Sequence, residues 1–180
     1  CLLFQDYEDQ EASRDNLRWL AYYDALTALP NRHQLTEQVA KALSLCISTG
    51  EKGVVLLIHL DRFSRLNDAR GYDVGDRLLQ EVARRLQGTL GEKGMLARMS
   101  GGDFFVLLHD HFPSDSTLEQ VVSGWVTEIT TMLKTPVELD DLKIPVFVSV
   151  GVTFFPHDRL DTPVQVLKRA DVAMHRAKWK

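Results

Sequence analysis

The sequence contains very little cysteine: Cys1 and Cys46 are the only two among 180 residues. Two cysteines cannot build a disulfide framework, and no Cys/His cluster has zinc-binding spacing. Positive charge is not in excess either, since the formal net charge is −4 at pH 7, which argues against a general nucleic-acid binder. The sequence shows neither a signal-peptide pattern nor an apolar run of about eighteen residues, so it predicts no membrane span. A reducing cytoplasm is the simplest setting for such a chain.

The sequence does contain enough apolar residues for one globular domain. Of its residues, 44% are hydrophobic, and a chain of this length buries roughly 70% of its unfolded surface, so folding requires no metal. We divide the chain into an N-terminal helix over residues 1–22 and a domain over residues 23–180. Two interpretations of the helix stay open: a solvated helix, or a coiled connector that carries a signal from an upstream module.

Three segments have the pattern of buried strands. The run KGVVLLIHL is continuously apolar, ARMSGGDFFVLL has the pattern of two strands joined by a glycine-rich turn, and KIPVFVSVGVTFF is the longest strand candidate. Amphipathic helices separate them, as where Leu78, Val82 and Leu86 recur every four residues. A strand that is apolar on both faces must be covered on both sides. We therefore predict an α/β fold with a central, mostly antiparallel sheet flanked by helices.

Polar side chains follow the first strand and occupy the glycine-rich turn. His59 and Asp61 share one side of the strand end, and Asp103 comes beside them if the hairpin pairs with this strand. A magnesium-dependent nucleotidyl-transfer site commonly needs two carboxylates, because Mg²⁺ prefers hard oxygen ligands. Imidazole suits softer metals. We therefore expect His59 to pack or to hydrogen-bond rather than to bind a metal.

Asn67 and Asp76 lie between the first strand and the next long helix. An amide and a carboxylate together can recognise the edge of a guanine base, because the carboxylate accepts from the ring N–H and from the exocyclic amine. Asn and Asp are also common turn and cap residues. A helix cap at Asp76 therefore stays open as the structural alternative.

Five motifs in order resemble the GGDEF domain of diguanylate cyclases over about residues 22–180. They are DALTALPNR, LDRFSRLNDARGYDVGD, ARMSGGDFFVLL, VSVGVTFFP and RADVAMHRAK. The resemblance implies a nucleotidyl-cyclase-like α/β fold related to polymerase palms. Active members of the family condense two GTP molecules into cyclic di-GMP with Mg²⁺, each of two facing domains holding one GTP.

The resemblance also implies that the metal site is degenerate. The five signature positions fall on Ser100, Gly101, Gly102, Asp103 and Phe104. Gly102 stands where the family has a metal-binding acid, and His59 stands at its other metal carboxylate. Ser64 replaces a phosphate-facing lysine. No metal site is therefore expected, and Asp61 and Asp103 are the residual candidates.

Other functional positions match the family. Asn67 and Asp76 match the residues that bind guanine, and Lys178 matches a phosphate-contacting lysine of the last helix. These three are vestigial or retained nucleotide-binding candidates. The inhibitory product-binding motif Arg-x-x-Asp is missing, because the window Gly91–Gly94 reads GEKG.

From this pattern we expect a catalytically inactive GGDEF domain that acts as a regulatory relay in cyclic di-GMP signalling. Its expected partners are the upstream helix, an adjacent EAL domain as in LapD-type GGDEF–EAL receptors, and a second copy in a homodimer, with no nucleic acid. The expected location of the domain is the cytoplasm. Whether the whole protein is attached to the inner membrane stays open.

Two alternatives to the inactive relay stay open. The first is a GTP-binding allosteric domain that regulates a neighbouring EAL phosphodiesterase. The second is a diguanylate cyclase with residual activity. No cofactor is expected unless nucleotide binding is retained, in which case the ligand is GTP with Mg²⁺.

Overall fold

The computed structural model describes residues 19–108, 112 and 117–178. Residues 19–22 are helical, and residues 1–18 of the predicted N-terminal helix lie outside the described part. The following helices are α1 (Arg32–Thr49), α2 (Phe63–Arg70), α3 (Tyr72–Leu90), α4 (Thr117–Leu133) and α5 (Pro163–Lys178). The strands are β1 (Gly53–Leu60), β2 (Gly94–Arg98), β3 (Asp103–Leu108), β4 (Val137–Leu139), β5 (Leu142–Ile144) and β6 (Val148–Phe155).

The main sheet has the strand order β2-β3-β1-β6 within the described residues. All three strand pairs are antiparallel. This confirms the predicted mixed α/β fold with an antiparallel central sheet. In this arrangement β1 lies between β3 and β6, and its end is next to the turn that joins β2 to β3.

Both faces of β1 are buried, and each face belongs to a separate apolar core. Val54, Leu56 and Ile58 pack with residues of α3 and α4 on one face of the sheet. Val55 and Leu57 pack with residues of α1 and α5 on the other face. Side chains alternate along a strand, so His59 lies on the same face as Leu57, toward α5.

The segment predicted as one long strand, KIPVFVSVGVTFF, is divided between two sheets. β5 ends at Ile144 and pairs with β4 in a small hairpin, whereas β6 begins at Val148 in the main sheet. The prediction of a single strand was wrong because Pro145 interrupts it: proline has no N–H for a ladder hydrogen bond. The β4–β5 hairpin was not predicted.

The last helix begins with residues that are typical of a helix start. α5 begins with Pro163. The hydroxyl of Thr162 accepts a hydrogen bond from the Gln165 backbone N–H at 3.3 Å, and the Gln165 side chain accepts one from the Thr162 N–H at 2.9 Å. This reciprocal pair satisfies donors that would otherwise be free at the helix start. No helix in the described part of the chain has the length and apolarity needed to cross a membrane.

Candidate functional site

The turn between β2 and β3 is held against the end of β1. The Asp103 N–H donates to the Ser100 carbonyl at 3.1 Å, and the Leu60 N–H donates to the Gly102 carbonyl at 2.9 Å. Gly101 has φ +54°, which is in the left-handed region that favours glycine. The turn, whose residues we call the signature turn (Ser100–Asp103), therefore lies beside the carboxyl end of β1.

His59 and Asp103 are partners across β1 and β3. The His59 Nδ1 lies 2.6 Å from the Asp103 Oδ1, and the two side chains are 24% and 34% exposed. The Asp103 carboxylate is therefore hydrogen-bonded to the imidazole of His59. His59 itself stands where the family resemblance implies a metal-binding acid.

The end of α5 brings a lysine to the same pair. The Lys178 Nζ lies 3.1 Å from the His59 Nε2 and 3.8 Å from an Asp61 carboxylate oxygen. The Ser149 hydroxyl lies 3.0 Å from each oxygen of Asp61. The Lys178 ammonium from α5 and the Ser149 hydroxyl from β6 thus both lie next to Asp61, the other residual metal candidate.

A largely buried arginine ties the signature turn to the segment that precedes α1. The Arg98 Nη1 lies 2.8 Å from both Asp24 carboxylate oxygens, and its Nη2 donates to the Gly101 carbonyl at 3.1 Å. Burial by itself raises the pKa of Asp24, but hydrogen bonds from Thr27 and Arg98 outweigh it and leave the pKa below its usual value. Sequence reasoning missed this pair; the signal was a charged residue within the otherwise apolar β2.

Two other signature positions have structural constraints of their own. Gly102 is buried, and a Cβ added there would lie 2.9 Å from the Leu60 Cβ. Phe104 is fully buried and pairs across the strands with Ile58, so it belongs to the core on the α3 side of the sheet.

A cavity of about 640 Å³ opens beside the signature turn. It is lined by His59, Asp103 and Lys178, and also by Arg62 and Arg65. Ser64, the position of the missing lysine, lines it as well. The two arginines were not predicted from the sequence, although the motif DRFSR places them on either side of the start of α2.

The start of α2 adds to the positive potential of this cavity. Its N-cap residue, Arg62, has φ +60° and makes no side-chain cap hydrogen bond. Helix N-termini carry partial positive charge on their unpaired N–H groups. With the two arginines and Lys178, the cavity is therefore suited to an anionic group.

The two guanine-binding candidates lie apart from this cavity. Asn67 is on α2, and its buried Oδ1 has no hydrogen-bond partner among the described residues. Asp76 is exposed on α3. The N-cap of α3 is Gly71, so Asp76 does not cap this helix. Neither side chain lines the 640 Å³ cavity.

The donor set around the signature turn does not fit Mg²⁺. No group of three or more His, Cys, Asp or Glu side chains in the described ranges could hold a metal ion. Imidazole is a poor ligand for Mg²⁺, and the Lys178 ammonium lies next to Asp61. The side chains around the signature turn therefore do not form a magnesium site.

Comparison with known proteins agrees with this architecture. The family model "Diguanylate cyclase, GGDEF domain" matches residues 21–180. A solved structure of a sensory box/GGDEF family protein from Caulobacter crescentus CB15 is 34% identical, with a TM-score of 0.77. That match covers 88% of this chain and 98% of the other.

Longer relatives contain this domain as one part. The signaling protein YkoW of Bacillus subtilis strain 168 is 33% identical over 98% of this chain. The bifunctional diguanylate cyclase/cyclic di-GMP phosphodiesterase MucR of Pseudomonas aeruginosa PAO1 is 31% identical over 88% of it. The chain spans only 22% of the length of each. It is a member of the GGDEF domain family.

Proposed function

We propose that this GGDEF domain does not synthesise cyclic di-GMP and serves as a regulatory relay within a larger cyclic di-GMP signalling protein. The observation that carries the proposal is the hydrogen-bonded series Lys178–His59–Asp103 at the end of β1. It occupies the place where the family resemblance expects metal-binding acids.

Electrostatics supports the loss of synthesis. Removing one preorganised charge-stabilising group typically costs about 10²–10³ in rate. Here acids are missing at both His59 and Gly102, and Ser64 stands in place of a lysine. A divalent cation at this point would also be repelled by the Lys178 ammonium, which lies 3.8 Å from Asp61.

Cyclic di-GMP formation by the 180-residue chain and by the longer natural protein tests the loss of synthesis. Each is incubated with GTP and Mg²⁺ beside an active diguanylate cyclase as positive control. We expect no product above the level of a matched Asp103→Asn variant. Product that forms with the native chain and disappears in that variant would contradict the proposal.

The relay role is supported by a second set of contacts that continues the first. Asp24, just after the helical residues 19–22, binds Arg98, which donates to the Gly101 carbonyl of the signature turn. Asp103 of the same turn contacts His59, and His59 contacts Lys178 at the end of α5. Polar contacts therefore connect the two ends of the described domain through one turn, and such networks can couple distant sites.

The output of this relay is, in our proposal, an adjoining EAL phosphodiesterase. The relative MucR is named as a bifunctional diguanylate cyclase/cyclic di-GMP phosphodiesterase. This chain spans only 22% of that protein's length. We expect Arg98→Lys in the longer protein to change phosphodiesterase activity several-fold, because lysine cannot bind Asp24 and Gly101 together. Arg176→Gln, on the exposed side of α5, is the control. Equal activity of the native protein and both variants would count against the relay.

A GTP-binding regulatory domain is the second candidate, favoured by the 640 Å³ cavity. Its cations Arg62, Arg65 and Lys178 can compensate phosphate charge without a metal. Equilibrium dialysis with GTP, with and without Mg²⁺, tests it, with ATP as the control for base selectivity. Binding of GTP over ATP that Asp76→Ala weakens would support this candidate; no binding at millimolar GTP would end it.

A further inference from the structure

A second cavity, which we call the α1–α5 groove, lies between helices α1 and α5 on one face of the sheet. Its volume is about 380 Å³, within the range of small-molecule sites. One end of the groove reaches Ser100 and Asp103 of the signature turn. The groove is therefore adjacent to the site described above but has its own walls.

The floor of the groove is apolar. Leu57 of β1 and Phe105 of β3 form a cross-strand pair there. This pair is two positions along the sheet from the His59–Asp103 pair. Leu167 of α5 completes the floor. All three side chains are buried, with exposures of 7% or less. Such a floor provides van der Waals contact for an aromatic or branched aliphatic group.

Two cations whose side chains have no partner among the described residues line opposite walls of the groove. Arg32 is the first residue of α1, and Lys168 lies in the second turn of α5. Both are exposed, and neither side chain makes a hydrogen bond or ion pair with any described residue. A cation in the first turn of a helix opposes the helix dipole, so helix stability does not favour Arg32 at this position.

Two acids, Asp103 and Asp171, also line the groove, and each lies near a histidine. Asp103 lies 2.6 Å from the His59 Nδ1, and an Asp171 oxygen lies 3.6 Å from the His175 Nε2. An anionic ligand can therefore pair with the two cations on the walls, Arg32 and Lys168, above the apolar floor.

We propose that the α1–α5 groove binds a small organic anion, a carboxylate, sulfonate or phosphate carried on an aromatic or branched apolar body. The anionic group lies between Arg32 and Lys168, and the apolar body rests on Leu57 and Phe105. This function goes beyond the relay because it requires neither a nucleotide nor a metal. Because the groove shares Asp103 with the signature turn, an occupant contacts the relay directly.

Titration of the 180-residue chain with 1-anilinonaphthalene-8-sulfonate, an aromatic sulfonate, tests the proposal by fluorescence and by methionine-methyl NMR. We expect saturable binding of about one dye per chain, as a single pocket of this size allows. The Met99 methyl, at the groove, should shift. The Met132 methyl, which packs against the core on the other face of the sheet, should not.

Charge variants test the two walls. Arg32→Gln with Lys168→Gln should weaken dye binding by about tenfold or more, whereas Arg176→Gln should change it by less than about twofold. Far-UV circular dichroism and thermal unfolding confirm that each variant is folded. Equal affinity of the double variant and the native chain would overturn the proposal, as would non-saturable binding or an unshifted Met99 methyl.

Competition separates an amphipathic ligand from a simple anion. Naphthalene-1-carboxylate should displace the dye, whereas inorganic phosphate at the same concentration should not. Displacement by phosphate alone, or by both equally well, would overturn the requirement for an apolar body. A shift confined to the Met95 methyl would place the dye in a separate pocket beside β2 and would also overturn the proposal.

Discussion

At the scale of single residues, hydrogen-bond geometry determines which ring nitrogen of His59 donates and which accepts. An ammonium group only donates, so the 3.1 Å contact between Lys178 and the His59 Nε2 makes that nitrogen the acceptor. The other ring nitrogen, Nδ1, then donates to Asp103 at 2.6 Å. His59 therefore links the Lys178 ammonium to the Asp103 carboxylate through its two ring nitrogens.

Gly102 shows that an acid cannot simply be restored at the signature. Its missing Cβ would lie 2.9 Å from the Leu60 Cβ and 3.4 Å from the Phe63 Cβ. The Leu60 Cβ is fixed by its backbone, so rotation of a side chain cannot make room. Reintroducing the family acid at Gly102 requires the turn to move away from β1.

Gly102→Ala should therefore destabilise the chain by about 1–3 kcal/mol, the usual range for overpacking. Gly88→Ala is the matched control: that glycine is inside α3, with no atom within 4 Å of an added Cβ. It should stabilise the chain by about 0.5–1 kcal/mol through helix propensity. Urea unfolding measures both, and equal stabilities of the two variants would refute the steric argument.

At the scale of elements, Arg85 of α3 is held by an ion pair within the helix and hydrogen-bonds to the segment that leads from α4 to β4. Glu81 accepts hydrogen bonds from Arg84 and Arg85 at 2.7–2.8 Å. Arg85 in turn donates to the Thr135 and Pro136 carbonyls. The hydrogen bond from Arg84, with that from Arg85, lowers the pKa of Glu81 to about 2.

Glu81→Gln should lower the free energy of unfolding by about 1 kcal/mol at neutral pH, since the pair is partly solvated. Because the folded pKa lies below the ordinary value of 4.5, this stabilisation is fully present above about pH 4.5 and is lost as pH falls toward 2. Urea unfolding of both proteins across this range measures the difference. A gap that stays constant down to the lowest pH would contradict the assignment.

The segment before α1 depends on one buried ion pair. Arg98 is 8% exposed, and its guanidinium contacts both Asp24 oxygens. The Arg98 N–H also donates to the Pro30 carbonyl at 2.9 Å. This one residue therefore holds both ends of the segment from Asp24 to Pro30.

Asp24→Asn should destabilise the chain by about 3 kcal/mol, because it leaves a buried guanidinium without its counter-charge. Asp68→Asn, at an exposed position on α2, should change stability by less than about 0.5 kcal/mol. Thermal unfolding compares the two variants with the native chain. Similar melting temperatures for both variants would show that the Asp24 pair contributes little.

At the scale of the whole molecule, the approach of α5 to β6 determines where Lys178 lies. Gly151 of β6 faces α5 so closely that an added Cβ would lie 2.2 Å from the Ala170 carbonyl oxygen and 2.3 Å from the Met174 N. Both are backbone atoms and cannot move aside. The glycine thus brings the helix near the sheet and its last turn near His59.

Gly151→Ala should therefore push α5 off the sheet and destabilise the chain by about 3 kcal/mol, at the upper end of overpacking costs. The Met174 methyl resonance, from a side chain 2% exposed, should shift strongly. Gly124→Ala on α4, which has no atom within 4 Å of an added Cβ, is the control. An unchanged Met174 resonance with native stability would refute the close-approach argument.

Much of the architecture was predictable from local patterns. Continuous apolar runs identified β1 and β3, and Thr162 followed by Pro163 is a pattern typical of a helix start. The β4–β5 hairpin was missed although VELDDLKI carries its signals, two alternating runs around an Asp-Asp turn. Asp140 adopts φ +53° there, a conformation that Asp tolerates better than most residues.

The sequence by itself determined the main helices and strands apart from the β4–β5 hairpin, the membership in the family and the absence of acids at His59 and Gly102. These follow from residue identity and periodicity, which are local properties. Only the tertiary structure decided that Lys178 lies on His59, that Arg98 spans Asp24 and Gly101, and that Arg32 faces a groove with Lys168. Each of these joins residues that are far apart in the chain, and their distance depends on how closely helices and strands pack.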